Sequence, residues 1–232
     1  MAFPDFHNHT FVAFCDISGF KQLMSRDAEK AVELLRKFYS DAYGILERTK
    51  ERGHTPVYGL LVSDCAILVA ENQDGITNPV AFKALLSTVK RFNKKSLQHG
   101  LMLTTSIVYG PFDYEQRSEG FGIEKNMITG AAYIEAYKDS NSTKPKLKCG
   151  ECRIVIEGLP GDVVDEIDDG DFPMLKKDRG HYYYYWMREN PEEIEDFNKA
   201  YESTEDLKYL GMRLVLQGNK TIDVIGDGEE ND

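Results

Sequence analysis

Two aspartates lie at the ends of apolar segments of the kind that form buried strands. Asp16 follows five apolar residues and precedes a glycine turn in FVAFCDISGF, residues 11–20. Asp64 lies in LLVSDCAIL, residues 60–68, between two apolar runs. A carboxylate at the end of a core strand is costly unless a cation, a helix N-terminus or a metal compensates it. Each aspartate therefore needs a partner, and the partner defines the chemistry.

The two carboxylates are predicted to lie side by side, because a first strand packs beside the hairpin in a strand–helix–hairpin sheet. Adjacent acids repel unless cations separate them. Two Mg²⁺ or Mn²⁺ ions about 3.5 to 4 Å apart would do so and would bind the phosphates of a nucleoside triphosphate. The backbone of Ser18, Gly19 and Phe20, at a helix start, is a candidate seat for phosphate oxygens. The simpler alternative is that Asp16 caps that helix and Asp64 makes a turn.

The elements that must position these residues alternate between strands and helices. Residues 11–16 predict a short buried strand, and apolar residues at three- and four-residue spacing predict a helix from Asp27 to Lys50. The segment TPVYGLLVSDCAILVAE predicts two strands with a tight turn at Ser63 and Asp64. A second long helix is predicted from Thr77 to His99, followed by the strand LMLTTSIVYG.

The second half of the chain continues the alternation. Its segments predict, in order, a polar connection (PFDYEQRSEGFGIEKN), a helix (MITGAAYIEAYKDS), a strand (CRIVIEG), an acidic loop (GDVVDEIDDGDF), a strand (HYYYYWM), a helix (PEEIEDFNKAYES) and a frayed tail (GEEND). This order predicts an α+β, ferredoxin-like fold, a mixed sheet with helices on one face. We expect a main domain over residues 1–160. Residues 161–232 are expected to form a strand-and-helix extension, packed on the same domain and ending in an acidic tail.

Composition narrows the classes of function. The chain has 232 residues and a formal net charge of −11, a surface that repels nucleic acid and anionic membranes. It has no apolar run of membrane-spanning length and no pattern of a secretory leader. Its four cysteines include one isolated CxxC, Cys149 to Cys152, without the second pair that a zinc site needs. We therefore expect a reduced, cytoplasmic protein with no nucleic-acid or membrane partner.

The aspartate motifs resemble those of class III nucleotidyl cyclases. FVAFCDISGF is similar to their first metal motif, a strand followed by D-I-x-G-F, and SDCAIL to their second, with Ser63 in place of a glycine. LTTSIVYGP, MITGAAYIEA and CRIVIEG resemble later family segments in the same order, so that the similarity spans roughly residues 10–157. The resemblance implies the class III catalytic fold and a homodimer with its active sites at the interface.

The resemblance also implies a reaction and a set of ligands. Asp16, the carbonyl of Ile17 and Asp64 would bind two divalent cations, Mn²⁺ or Mg²⁺. The ribose 3′-oxygen would attack the α-phosphate and release pyrophosphate, the activity of a phosphorus–oxygen lyase. Catalysis would consist mainly of positioning and of charge neutralisation by metal.

Five positions depart from the pattern of purine cyclases. Thr104 and Tyr133 stand where the family carries arginines, and Thr129 stands where it carries the ribose-orienting asparagine. Leu60 replaces the lysine that reads a purine, and Gly122 replaces the acid that pairs with it. The usual reading of adenine or guanine is therefore not expected here.

The bacterial pyrimidine cyclases of Pycsar antiphage systems are similar in size, in lacking fused sensor domains and in keeping the metal acids. This resemblance implies production of cUMP or cCMP from UTP or CTP, sensed by a separate effector. Tyr58, six residues before Asp64, is the candidate base reader, and a tyrosine packed in the sheet is the alternative. Two other functions stay open: an inactive, dimeric cyclase-like binding module, and an adenylate cyclase with rearranged base contacts.

Several other groups complete the list of candidates. Lys21, Arg91, Lys125 and Lys138 are the basic residues nearest the motifs, and one or two of them are candidates for gripping phosphate. The aromatic run YYYYW, Tyr182 to Trp186, has the composition of a nucleic-acid stacking platform. The acidic surface argues against that, and a half-buried strand or a dimer face is the preferred interpretation.

Overall fold

The computed structural model describes residues 3–51, 55–72, 75–119 and 123–204. Within these ranges the chain forms eight strands, six α-helices and one 3₁₀ turn. In chain order they are β1 (Phe6–Ile17), α1 (Phe20–Arg26), α2 (Ala28–Glu51), β2 (Val57–Val62), β3 (Cys65–Ala70), α3 (Asn78–Gln98), β4 (Leu103–Glu119), β5 (Ile123–Thr129), α4 (Ala131–Ser140), β6 (Cys152–Val155), α5 (Gly161–Asp168), β7 (Leu175–Asp178), β8 (His181–Tyr184), the 3₁₀ turn (Pro191–Glu193) and α6 (Ile194–Thr204).

The strands form one mixed sheet in the order β2-β3-β1-β4-β6-β8-β7, with β5 paired to β4. β1 lies between β3 and β4 and is antiparallel to both. β4 and β6 are parallel, as a crossover through α4 requires. The α+β class and the mixed sheet are confirmed, and β1 lies beside the β2–β3 hairpin as expected.

Alternating side chains of the strands fill two separate cores. One core lies under α2 and α3 and contains Phe11, Phe38 and Phe82. The other lies on the opposite face of the sheet, where Val12 and Phe14 of β1 pack with Ala132 and Ala136 of α4. The sequence predicted that the helices lie on one face of the sheet. This prediction was wrong for α4, which covers the second face. Asp16 alternates with buried neighbours in the α2/α3 core and so belongs to the α4 face.

Several predicted boundaries were wrong, for two physical reasons. The strand predicted over residues 11–16 begins at Phe6, because residues 7–9 pair with β4. The predicted polar connection after residue 110 is a hairpin of β4 and β5, since Phe112 and Tyr114 alternate into the α4-face core. The predicted acidic loop contains α5, whose Val163 is fully buried while Asp162, Asp165 and Asp168 are exposed. Cross-strand pairing and one buried side chain outweigh the polar composition of these segments.

Residues after 160 join the same sheet, since β8 pairs with β6 and β7 pairs with β8. A buried ion pair fastens α4 to this part of the sheet: the guanidinium of Arg153 donates to Asp139 from Nε at 2.8 Å and from Nη2 at 2.9 Å. Asp139 also accepts from Ser106 and lies 2.9 Å from Nε2 of His181. The acidic tail predicted at the C-terminus lies outside the described residues. Among the described residues, no helix has the length and apolarity of a membrane span.

Candidate active site

Strand pairing places the two predicted metal acids together. Asp16, near the end of β1, is paired with Cys65 of β3 on one side and Thr104 of β4 on the other. The amide of Ile17 donates to the carbonyl of Asp64 at 3.0 Å, which ties the hairpin turn to the end of β1. The predicted metal ligand of Ile17 is its backbone carbonyl. Because the side chain of Ile17 is buried in the core, this carbonyl is held at a rigid strand end.

Three potential ligands converge at this point. Oxygen atoms of Asp16 and Asp64 and the sulfur of Cys65 all lie within 4.8 Å of one another, and the three residues are half-buried. The thiol of Cys65 donates to Oδ1 of Asp16 at 3.1 Å. The two aspartates were predicted from the sequence, but Cys65 was not, because its position in an apolar run indicated only a small core residue.

The turn that carries Asp64 is braced from α2. Ser63 adopts a left-handed backbone conformation with φ 55°, which costs free energy for a residue other than glycine. The hydroxyl of Tyr39 donates to the carbonyl of Ser63 at 3.0 Å. No local pattern marked Tyr39, which in the sequence is one of several apolar-face residues of a helix. Its contact lies 24 residues away and arises only when α2 packs on the sheet.

The electrostatics of the cluster favour a cation. Burial raises the pKa of Asp16, and the nearby charge of Asp64 raises it further, although the hydrogen bond from Cys65 and the charge of Lys21 act in the opposite direction. Burial and the Asp16 carboxylate raise the pKa of Cys65 far above that of a free thiol. Cys65 is therefore a neutral donor, and the ligand set consists of carboxylate oxygens, which suit Mg²⁺ and Mn²⁺.

The segment after β1 has only part of the predicted phosphate seat. The amide of Ser18 already donates to the carbonyl of Met102 at 2.9 Å, so it is not free for phosphate. Its hydroxyl oxygen is buried and has no hydrogen-bond partner among the described residues. Gly19 has φ 76°, which favours glycine at the start of α1, and Phe20 anchors that start in the core. Gly19 and Phe20 stay predicted contacts, while the hydroxyl of Ser18 is the group that lacks a partner.

Tyr58 lies at the other end of the β2–β3 hairpin. It is paired with Val69, and four residues of extended strand, about 13 Å, separate it from Val62 at the turn. Its hydroxyl donates to Oε1 of Glu71 at 3.1 Å, and its ring lies 5.4 Å from that of Phe3. Burial, followed by the Glu71 carboxylate, raises the pKa of Tyr58 to about 12. Tyr58 is thus a neutral phenol on the α4 face, remote from Asp16 and Asp64 of its own chain.

The positions that depart from purine cyclases are distributed around the cluster. Thr104 lies directly beside Asp16 in the sheet. Tyr133 of α4 is half-buried near Phe14, and burial raises its pKa. Thr129 is exposed at the end of β5. Leu60 packs against the α4-face core, and Gly122 lies outside the described residues.

The four candidate cations are not equivalent. Lys21 is exposed and is the basic residue whose charge acts on Asp16. Lys138 pairs with Glu135 at 2.8 Å on α4. Arg91 lines a different cavity, between α2 and α3. The side chain of Lys125 lies outside the described side chains. Lys21 is therefore the candidate that the structure brings to the acids.

Comparison with solved structures identifies the fold. The guanylate cyclase domain of RhGC from Catenaria anguillulae, in complex with GTP, matches over 78% of this chain and 96% of its own length, with a TM-score of 0.53 and 15% identity. The guanylyl cyclase domain of the RhoGC fusion protein from Blastocladiella emersonii matches over 79% and 98%, with a TM-score of 0.50 and 13% identity. The chain has the fold of a class III cyclase catalytic domain.

The cyclase-type domain is similar to these proteins in structure only. No protein-family model and no curated protein sequence matches it. It spans 44% of the length of a bacterial light-regulated adenylyl cyclase, with 14% identity and a TM-score of 0.47. Class III cyclases use two metal ions, and Asp16 and Asp64 form an acidic cluster that fits them. The cyclase-type fold and this cluster are the two findings on which a function can be argued.

Proposed function

We infer that the protein is a metal-dependent nucleotide cyclase that converts UTP or CTP to the 3′,5′-cyclic monophosphate and pyrophosphate. The observation that carries the inference is the convergence of Asp16 and Asp64 within 4.8 Å, at a strand end and a hairpin turn of a cyclase-type fold. Two half-buried acids so close repel one another without a cation. Divalent cations bound between the two acids would remove this repulsion.

The residues present fit two divalent cations. Asp16 and Asp64 would hold them, with the backbone of Ile17 beside the pair and the partnerless hydroxyl of Ser18 close in sequence. When bound, the cations supply charge neutralisation at the triphosphate and polarise the attacking ribose oxygen. The chain itself contributes rigidity, because Tyr39 braces the turn. It also contributes positive charge, because Lys21 lies near Asp16.

Selection of a pyrimidine rests on what the base-reading positions lack. Leu60 has no hydrogen-bonding side chain, and Gly122 has no side chain at all. A purine there would leave polar edges unpaired, at about 1–3 kcal/mol for each buried group. Tyr58 supplies a ring and a hydroxyl on the same sheet face as Leu60. Since Tyr58 is remote from Asp16 and Asp64 of its own chain, it would contact a base held by those two acids of a second protomer.

A homodimer is part of the proposal. Val62 beside the turn and Ile134 and Tyr137 on α4 are apolar side chains exposed by 57%, 46% and 50%. All three lie on the side of the sheet that α4 covers, together with Tyr58 and Asp16. Burying them against a second copy would bring the acids of one protomer towards Tyr58 of the other. The antiphage role and the separate effector rest on the resemblance to Pycsar cyclases alone.

One assay tests the proposal and separates it from its alternatives. Purified protein with Mn²⁺ and each of the four ribonucleoside triphosphates is expected to give cyclic product from UTP or CTP well above that from ATP or GTP. Tyr58→Ala is expected to lose most of this activity, and Tyr58→Phe measures the share of the hydroxyl bound to Glu71. A preference for ATP would identify an adenylate cyclase. Mn²⁺-dependent binding of nucleotide without turnover would identify the inactive module, a candidate favoured by Thr104 and Tyr133 at the arginine positions.

A further inference from the structure

A second cavity lies away from the metal acids, between the loop before β6, the β7–β8 hairpin and α6. Its volume is about 560 Å³, within the range of small-molecule sites. It shares no residue with the Asp16–Asp64 cluster. The strands that border it are β6, β8 and β7, and β4 separates them from β1 in the sheet. We call it the basic cleft, for the charges described next.

The charge of the basic cleft is opposite to that of the whole chain. Five basic residues line it, Lys146, Lys148, Lys176, Lys177 and Arg179, against two acidic residues, Glu151 and Asp178. The chain as a whole carries a net charge of −11. Positive charges gathered around one cleft raise the local concentration of anions.

The two acids do not neutralise this cluster. Asp178 lies 3.8 Å from Nε of Arg179, and Glu151 accepts from the backbone amide of Lys148 at 2.7 Å. No carboxylate of the described residues lies within 4.0 Å of Lys146 or Lys176. Both ammonium groups are on exposed residues at the rim, where an incoming anion would pair with them.

Aromatic rings form the wall of the same cleft. Tyr183, Tyr185 and Tyr201 are half-buried, so part of each ring stays on the surface of the cleft. The wall is rigid, because Nε1 of Trp186 donates to the carbonyl of Gly150 at 2.8 Å. The ring of Tyr185 also packs edge-on against Phe197 at 6.0 Å. Part of the aromatic run forms the half-buried strand β8, as expected, and Tyr183 and Tyr185 of the run also line the cleft.

We propose that the basic cleft binds a nucleoside phosphate. A nucleotide has a planar ring for the tyrosine wall and a phosphate for the ammonium groups of Lys146 and Lys176, and its recognition here needs no metal. A long polyanion is disfavoured because the net charge of the rest of the chain repels it. The site is independent of the proposed cyclase reaction, since it uses none of the residues assigned to that reaction.

The test is an equilibrium titration of the full chain in EDTA with UMP, AMP, uridine and inorganic phosphate. Wild type and Asp64→Asn are expected to bind a nucleotide equally, and uridine and phosphate each at least tenfold more weakly. The double variant Lys146→Ala/Lys176→Ala is expected to lose at least tenfold in affinity. Lys199→Ala, a matched control on α6 outside the cleft, is expected to leave it unchanged.

Four results would overturn the inference. These are no binding of either nucleotide in EDTA, loss of binding in Asp64→Asn, phosphate binding as tightly as nucleotide, and a single-stranded oligonucleotide binding far more tightly than UMP. The double variant Lys146→Ala/Lys176→Ala changes exposed lysines only, so its thermal unfolding curve is expected to match that of wild type. Failure of this titration would leave the cyclase assay unaffected, and the reverse also holds.

Discussion

Replacement of Asp16 by asparagine is expected to stabilise the metal-free protein and to remove its response to metal. The substitution keeps the shape of the side chain and an oxygen that accepts from Cys65. It removes one of two charges that lie within 4.8 Å of each other. Because the pKa of Asp16 is raised in the folded protein, first by burial and then by Asp64, the ionised group opposes folding at neutral pH.

The size of the effect follows from the separation of the two charges. At 4.8 Å, their repulsion is about 0.9 kcal/mol in bulk water and about 3.5 kcal/mol at an effective dielectric constant of 20. The group is half-exposed, so screening by solvent favours the lower figure, about 1 kcal/mol. For a chain of this size, that raises the melting temperature by about 2–4 °C.

Metal is expected to reverse the order of the melting temperatures of wild type and Asp16→Asn. At a free Mn²⁺ concentration of a hundred times the dissociation constant, wild type gains about 2.7 kcal/mol, or about 5–11 °C. Asp16→Asn is expected to show little of this gain, so that it melts above wild type in EDTA and below it in saturating Mn²⁺.

The assay is thermal unfolding in EDTA and across a Mn²⁺ titration, followed by circular dichroism. Asp196→Asn, an exposed acid on α6, is the control and is expected to follow wild type in both conditions. A lower melting temperature for Asp16→Asn in EDTA would refute the argument from repulsion. An unchanged Mn²⁺ response in that variant would show that the metals bind elsewhere.

Three further predictions concern residues that support the site. Tyr39→Phe removes the hydrogen bond to the carbonyl of Ser63 and is expected to weaken Mn²⁺ binding severalfold at a cost of about 1 kcal/mol in stability; an unchanged metal affinity measured by calorimetry would contradict the bracing role. Arg153→Met leaves Asp139 buried without its cation and is expected to cost about 3–5 kcal/mol in denaturant unfolding, with partial recovery in Arg153→Met/Asp139→Asn. Burial acts to raise the pKa of Asp139, but hydrogen bonds from Arg153 and Ser106 hold it below its usual value. Its contribution to stability is therefore complete above about pH 4 and is lost as the pH falls further; Arg153→Met is expected to show a weaker loss in that range when unfolding is measured against pH.

Local pattern was enough for the elements that carry strong periodicity. The apolar run before Asp16 predicted a buried strand, and the spacing of apolar residues predicted the α2 and α3 helices. The hairpin turn at Ser63 and Asp64 was predicted at the right residues, since Val62 and Cys65 are paired across it. These features depend on neighbours in sequence, and so the sequence alone reveals them.

Composition misled wherever a segment's structure depends on a distant partner. The polar residues after 110 indicated a connection, but pairing between β4 and β5 satisfies their backbone groups. The acidic segment at 161 indicated a loop, but the burial of Val163 holds it as α5. Residues 7–9 carry no hydrophobic pattern, and they form a strand because β4 lies alongside them.

The sequence by itself predicted the two candidate metal acids, Asp16 near the end of β1 and Asp64 in the β2–β3 turn. Tertiary structure decided what surrounds them. It placed Cys65 on Asp16, Tyr39 on the Ser63 carbonyl and Tyr58 at the far end of the hairpin. It also gathered lysines and tyrosines from the loop before β6, the β7–β8 hairpin and α6 into one basic cleft. Residue types determine which contacts are chemically possible. A distance of 3 Å between residues far apart in sequence arises only after the strands have paired and the helices have packed.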